Sequence, residues 1–118
     1  MSIHTRSQKL AQAAYDTLSR QGMLNKEYVS FAKKFPALIH TCGLAQSVAF
    51  ALAKSEHDYI GNLAFVLNAA GHDELKDANS LDQAARTAEL GVYIRLSRDA
   101  INAASWLKRY VEAAEETI

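Results

Sequence analysis

The chain has 118 residues, and its 13 basic and 13 acidic side chains give a formal net charge of zero. No global positive field therefore argues for nucleic acid, and the single cysteine, Cys42, excludes an intrachain disulfide. No apolar stretch reaches the roughly 18–20 residues that span a bilayer, and no apolar run follows a basic N-terminus. We expect one soluble, cytoplasmic domain over residues 1–118, with no membrane partner.

The charges are distributed unevenly along the chain. Residues 1–40 carry six basic and two acidic side chains, a balance of +4, whereas residues 56–89 carry two basic and seven acidic ones, a balance of −5. Residues 92–111 return to +3, from four basic side chains and one acidic. Such zones are typical of a protein that meets a charged partner on one side. Ordinary helices with mixed solvent-exposed faces give the same composition, so the charge pattern leaves both interpretations open.

A single proline and abundant Ala, Leu, Lys and Glu predict an all-α fold, a single compact bundle of about five to six helices. The first helix is predicted over about residues 6–21, where apolar side chains recur every four residues, and Gly22 can end it. Asn25 is a good N-cap for a second helix, with Glu27 in the first turn. Pro36 falls inside the second helical pattern and either kinks that helix or begins a new one.

A third helix is predicted at 44–54, after Gly43. Phe50 points away from the main apolar face of this helix, which indicates a central or interfacial position. That apolar face consists of Leu44, Ala45, Val48, Ala49, Ala51 and Leu52.

A fourth helix is predicted at about 58–70, capped by Ser55 or Asp58 and ended by Gly71. The polar stretch 72–79 is predicted to be a loop.

Two further helices are predicted in the last third of the chain. Ser80 and Gln83 match a capping box and predict a short helix that Gly91 interrupts. The last helix is predicted to open at Ser97 with Asp99 in its first turn. Its seam is rich in alanine and comprises Ala100, Ala104, Leu107, Val111 and Ala114.

Two pairs of residues invite comparison with active sites. His72-Asp73 matches the paired ligands of His-Asp metal-dependent phosphohydrolases, but it follows Gly71 in a polar stretch, and such a site needs further ligands on other helices. His40 lies two residues from Cys42, and side chains at i and i+2 of a helix do not face each other. Cys42 is therefore predicted to be a buried or half-buried apolar thiol. The sequence predicts no catalytic residue, no metal, no cofactor and no small-molecule substrate.

The basic side chains of the last helix form a stripe. Arg98 and Arg109 share one face about 16 Å apart, at about 1.5 Å per residue, with Asn102 and Ser105 between them as neutral donors. Such a stripe suits contact with a sugar-phosphate backbone without base reading. On the residue pattern alone, an ordinary solvent-exposed face is the simpler interpretation. Trp106 lies at the margin of the seam and either completes the core edge or anchors a protein interface.

Two segments of the sequence resemble one known family. Residues 28–54 contain Lys-Lys-Phe-Pro-Ala-Leu-Ile, Cys-Gly-Leu-Ala-Gln and Ala-Phe, which are similar to the family's Leu-Pro…Ile…Asn-Gly-Leu region. Residues 93–113 contain Tyr-Ile-Arg-Leu-Ser-Arg-Asp-Ala and Trp-Leu-Lys-Arg-Tyr-Val-Glu-Ala, which are similar to its Tyr-Arg…Trp-Leu-Lys-Arg-Phe-Ala ending. The family is the small α-helical subunit of the Cmr complex, the type III-B CRISPR RNA-guided effector. Cys42 departs from the family pattern, which has Asn before the Gly, and Ala45 replaces a common second Gly.

This resemblance implies a non-catalytic protein of antiviral defence, present in several copies stacked along one side of a ribonucleoprotein. The implied partners are the repeating backbone subunit, the large signature subunit, further copies of the chain itself, and the guide RNA with its paired target RNA. Lys108 and Arg109 lie in the matching Trp-Leu-Lys-Arg motif. The resemblance implies contact with RNA phosphates by Lys33, Lys34, Lys54, Arg98, Lys108 and Arg109.

A second hypothesis comes from a different class of function. A helical adaptor that binds only protein would use Phe50 and Trp106 in a hydrophobic interface. If the chain does bind RNA, we expect an isolated copy to bind weakly, because two or three phosphate contacts give little affinity.

Overall fold

The computed structural model describes residues 3–22 and 24–116, and this part of the chain contains six helices and no strand. The prediction of an all-α bundle of five to six helices is confirmed. The helices are α1 (Arg6–Gln21), α2 (Lys26–Cys42), α3 (Leu44–Ala53), α4 (His57–Ala69), α5 (Ala78–Thr87) and α6 (Leu90–Glu116).

The first two helices begin where local capping signals place them. The Thr5 hydroxyl accepts a hydrogen bond from the backbone N–H of Gln8, whose side-chain oxygen accepts one from the backbone N–H of Thr5, so a capping box opens α1. The Asn25 side chain accepts a hydrogen bond from the backbone N–H of Tyr28 at 2.7 Å, as its N-cap role predicts. Gly22 ends α1 with a positive φ of 76°.

Pro36 lies inside α2, which continues without a break to Cys42. A new helix therefore does not begin at this proline. Pro36 is buried together with Phe35 and Ile39. Because proline has no N–H, the carbonyl of Ala32 lacks its usual helical partner. Burial of this apolar face offsets the cost of the lost bond.

The predicted caps of α4 and α5 are wrong. Glu56 precedes α4 without a side-chain cap, and Ser55 adopts a left-handed φ of 63°, whereas an N-cap residue needs extended backbone. Asp58 lies within the first turn of α4. In α5 the capping box is formed one turn earlier than predicted, because the Asp77 carboxylate accepts a hydrogen bond from the backbone N–H of Ser80 at 2.8 Å. Ser80 is thus the third residue of the helix, not its cap.

The predicted start of the last helix is also wrong. Residues 88–89 are not helical and separate α5 from α6. α6 then runs from Leu90 through Gly91 and Ser97 without interruption. A glycine inside a helix costs only about 1 kcal/mol, which the packing of Leu96 and Tyr93 against the core can outweigh. Asp99 consequently lies in the interior of α6.

The helices form a flattened body of 43 × 43 × 22 Å, about two helix diameters thick. The long α6 packs chiefly against α1 and α2, and α4 packs against α1 and α5. Small side chains on α6 allow these neighbours to approach closely, since Ala100, Ala103 and Ala104 are all fully buried. None of the described helices combines the length and the hydrophobicity needed to cross a bilayer.

Candidate nucleic-acid interface

The outward face of α6 carries exposed arginines, among them Arg98 and Arg109. Burial of Leu96 and Leu107 fixes which side of the helix meets the core, and Arg98 and Arg109 lie on the opposite side by helical geometry. Both arginines are exposed, and neither forms an ion pair with any side chain in the described part of the chain. Arg98 and Arg109 therefore turn their guanidinium groups toward solvent on the same helix face.

The neutral residues between these arginines differ in their availability. Asn102 is exposed. Ser105 is half-buried, and its hydroxyl donates a hydrogen bond to the backbone carbonyl of Ile101 at 2.8 Å. The prediction that Ser105 serves as a neutral donor on this face is wrong, because its one hydroxyl proton is already committed within the helix.

Lys108 is adjacent to Arg109 in sequence but lies on a different flank of α6. The two side chains are about 100° apart around the helix, and Lys108 is half-buried. Glu115 follows Lys108 by seven residues, which is two turns, and so shares its side. Since Glu115 pairs with Lys33 of α2, the flank that carries Lys108 is the one next to α2.

Lys33 has an intramolecular partner that the sequence did not predict. Its ammonium group lies 2.6 Å from the Glu115 carboxylate, and this hydrogen bond raises the pKa of Lys33. The ion pair balances the charge of Lys33 locally. A phosphate that approached this position would have to displace Glu115.

Lys34 lies on a different side of α2, about 100° around the helix from Lys33. Its ammonium nitrogen lies 5.6 Å from the centre of the Phe31 ring, and that of Lys54 lies 5.6 Å from the centre of the Phe50 ring. Both lysines line a surface hollow of about 380 Å³. The complete lining consists of Lys26, Glu27, Ser30, Phe31, Lys34, Lys54 and Glu56.

The carboxylates in this hollow are not solvated equally. Partial burial raises the pKa of Glu56, and the neighbouring Glu27 raises it further, whereas Lys34 acts in the opposite direction. The hollow holds three lysines and two glutamates, so its formal balance is +1.

Phe50 and Trp106, the two predicted interface anchors, differ in their surroundings. Phe50 is 39% exposed, as expected from its position opposite the apolar face of α3. Trp106 is half-buried against the core and stacks on Tyr110, with ring centres 5.8 Å apart. Trp106 therefore does complete the core edge, which was one of its two open interpretations.

The structure also places the residues that suggested chemistry. His72 lies in the α4–α5 loop with its Nε2 2.7 Å from the Asp99 carboxylate, while Asp73 is exposed. Cys42 is exposed, so its predicted burial is wrong: it is the last residue of α2, where the chain turns away at Gly43. In the described residues no three or more His, Cys, Asp or Glu side chains are arranged to hold a metal ion.

One charged cluster was missed at the sequence level. Asp99 is 4% exposed and accepts hydrogen bonds on one carboxylate oxygen from Arg6, at 3.1 Å, and from His72. The signal was present, because Asp99 precedes Ala103 by four residues and therefore lies on the core-facing side of α6. An acidic residue at such a position requires an internal partner.

Comparisons with known proteins bear on the family and the fold of this chain. Residues 6–114 match the family model described as "CRISPR-associated protein (Cas_Cmr5)". The chain is 40% identical to "CRISPR system Cmr subunit Cmr5" from Thermus thermophilus, over 97% of this chain and 99% of that protein. It is also similar to the crystal structure of a CRISPR-associated Cmr5 family protein from the same organism, with a TM-score of 0.82 and 36% identity over 93% of this chain and 97% of the other.

These matches confirm the resemblance that the two sequence segments indicated. They cover the middle of the chain as well, where the sequence offered no signature. The chain belongs to the Cmr5 family of CRISPR-associated proteins.

Proposed function

We propose that this protein is the small, non-catalytic subunit of a type III-B Cmr ribonucleoprotein effector in the cytoplasm. In this proposal it forms one domain over residues 1–118, and several copies stack beside the repeating backbone subunit and the large signature subunit. The copies together contact the backbones of guide and target RNA in antiviral defence. Family membership supports the assembly, because the Thermus thermophilus relative is named as a Cmr subunit.

The observation that carries the RNA contact is the outward face of α6. Arg98 and Arg109 are exposed, lie about 16 Å apart at about 1.5 Å per residue, and have no ion-pair partner among the described side chains. A structural arginine usually bonds a carboxylate or carbonyl, as Arg6 does with Asp99 and Ala70. Guanidinium groups at this separation suit phosphates that lie a few nucleotides apart on one strand rather than base edges.

The six basic candidates are not equivalent in this proposal. Arg98 and Arg109 form the main contact surface on the outward face of α6, and the half-buried Lys108 lies beside it on the flank next to α2. Lys34 and Lys54 belong to the separate hollow that Phe31 also lines, and Lys33 becomes available only if Glu115 is displaced. Each copy thus makes few contacts, and useful affinity arises when stacked copies act together.

The direct test is the double variant Lys108→Glu with Arg109→Glu in an assembled Cmr complex. Each lost phosphate contact lowers the salt dependence of log Kd by about one and weakens binding across sequences. We expect target-RNA affinity to fall roughly tenfold or more at physiological salt. Filter binding at several salt concentrations measures both quantities, and circular dichroism checks that the bundle still folds.

A matched control changes the net charge equally but elsewhere. Lys76→Glu with Arg86→Glu alters two exposed residues in the acidic middle of the chain, and we expect it to leave RNA affinity unchanged. Because Lys108 is half-buried, Arg109→Glu alone provides a fallback if the double variant is unstable. Equal affinity for the α6 variants and the control would contradict the proposal. A complex that assembles without any RNA would favour the protein-only adaptor.

A further inference from the structure

We infer that Phe50, with Lys34 and Lys54 beside it, is a binding site for one unpaired nucleotide. The base stacks on the phenyl ring, and the phosphate lies against the two ammonium groups. This inference rests on the proposed function, because it describes a second way in which RNA meets the same subunit. It assigns Phe50 to nucleic acid instead of a protein interface.

The Phe50 ring is partly exposed to solvent, and a second aromatic ring packs behind it. Phe31 lies nearly parallel to it, with an interplanar angle of 14° and ring centres 6.5 Å apart. Phe31 is only 3% exposed and is fixed in turn by Phe35 and Tyr59, at 5.2 and 5.4 Å between ring centres. An exposed ring held by a packed aromatic cluster loses little conformational freedom when a base stacks on it.

Cations lie beside the Phe50 ring and beside the Phe31 ring that packs behind it. Lys34 and Lys54 each approach one of the two stacked rings within 5.6 Å, and neither forms an ion pair in the described part of the chain. An aromatic platform with adjacent cations is the combination that binds single-stranded nucleic acid without sequence preference.

The neighbouring hollow, which Lys34, Lys54 and Phe31 line but Phe50 does not, has a charge that limits how many phosphates this surface can bind. Three lysines and two glutamates give a balance of +1, which suits one phosphate and not a continuous run of them. Bases inside a duplex are stacked on one another, so only an unpaired nucleotide can offer its face to Phe50.

The first test uses a single-stranded RNA that contains one 5-iodouridine, irradiated while bound to the assembled Cmr complex. We expect the cross-linked peptide of this subunit to contain Phe50. A cross-link confined to peptides without Phe50 would overturn the site.

Binding measurements then quantify the stacking. Because base–aromatic stacking contributes about 1–3 kcal/mol, Phe50→Leu should weaken the complex's affinity for this RNA roughly 5- to 100-fold. Phe50→Trp should restore the affinity to within about twofold. The salt dependence should stay unchanged in both variants, since no phosphate contact is removed.

Phe65→Leu is the matched control. Phe65 is 40% exposed, similar to Phe50, but the planar Arg20 guanidinium lies 4.5 Å from its ring centre, closer than the 5.6 Å that separates the compact Lys54 ammonium from the centre of the Phe50 ring. We expect this variant to bind like the unaltered complex. Equal affinities for Phe50→Leu and Phe65→Leu would overturn the inference, as would loss of the Phe50→Leu subunit from the complex, which marks a protein interface.

The outcome also separates this site from the proposed function. If Lys108→Glu with Arg109→Glu weakens target-RNA capture while Phe50→Leu does not, only the nucleotide site fails. If Phe50 cross-links but the α6 variants bind normally, the site stands and the α6 contact surface fails.

Discussion

At the scale of single residues, two buried tyrosines differ in whether the hydroxyl has a hydrogen-bond partner. Tyr28 and Tyr59 pack edge to face, with ring centres 5.6 Å apart. The Tyr28 hydroxyl accepts a hydrogen bond from the Asn62 amide at 2.7 Å, whereas no group in the described chain bonds that of Tyr59. Burial raises the pKa of Tyr28 to about 12, and burial and the neighbouring Tyr28 raise the pKa of Tyr59 well above its ordinary value.

Tyr59→Phe should therefore leave the free energy of unfolding at neutral pH unchanged or raise it by about 1 kcal/mol, because an unpaired buried hydroxyl costs free energy. Tyr28→Phe, the matched control, should lower it by about 1 kcal/mol through loss of the Asn62 bond. Urea unfolding measures both. A clear loss of stability in Tyr59→Phe would mean that its hydroxyl has a partner.

The same variants test the pH dependence. Between about pH 10 and 12 the unfolded chain releases phenolic protons that the folded chain retains, so stability falls as pH rises. The slope is at most about 1.4 kcal/mol per pH unit for each tyrosine. Either substitution should flatten this alkaline decline.

At the scale of helices, Gly43 joins α2 to α3 and serves both. It has φ 84° and ψ 161°, a combination that is essentially restricted to glycine, and its N–H bonds the carbonyl of Ile39 at 2.8 Å. Glycine has no side chain to cap α3. The hydroxyl of Tyr93, on α6, instead accepts a hydrogen bond from the backbone N–H of Ala45 at 3.1 Å.

Gly43→Ala should lower the free energy of unfolding by about 1–3 kcal/mol. A new Cβ would lie 3.6 Å from the Tyr93 hydroxyl, an ordinary contact, so backbone strain causes the loss. Gly61→Ala inside α4 is the control: its Cβ meets nothing within 4 Å, and we expect a gain of about 0.5–1 kcal/mol. Equal effects in thermal unfolding of the two variants would contradict this account.

Local signals explain which helices the sequence could predict. α1 and the start of α2 matched because Gly22 and Asn25 act within one turn of the helix ends. The starts of α5 and α6 did not match the prediction. Asp77, not Ser80, caps α5, and the packing of α6 keeps it helical through Gly91. The packing of α6 depends on tertiary contacts that no short window contains, whereas Asp77 and Ser80 are two local signals only three residues apart.

The candidate interface was likewise predictable only where it depends on local helix geometry. Helical periodicity alone correctly placed Arg98 and Arg109 on the outward face of α6. It could not show that Lys33 pairs with Glu115, because that contact depends on how α2 and α6 cross. The contacts among Phe50, Phe31 and two lysines also depend on how helices pack, so the sequence did not predict them.

At the scale of the whole molecule, one carboxylate connects three parts of the chain. Asp99 in the middle of α6 binds Arg6, the first residue of α1, and His72 in the α4–α5 loop. Arg6 also donates to the carbonyl of Ala70 at 2.9 Å. The cluster thus holds the start of α1 and the end of α4 against α6. These segments are far apart in sequence but adjacent in space.

Asp99→Asn should lower the free energy of unfolding by about 1.5–3 kcal/mol, since hydrogen bonds to a charged group are lost at a buried position. Asp82→Asn is the matched control, because the Asp82–Arg86 pair joins residues of one helix and Arg86 is largely exposed. We expect that variant to change stability by no more than about 0.5 kcal/mol. Hydrogen exchange should show faster opening of the α4–α5 loop in Asp99→Asn alone. If both variants unfold at the same denaturant concentration, the Asp99 cluster does not hold these three segments together, and apolar packing against α6 must do so without it.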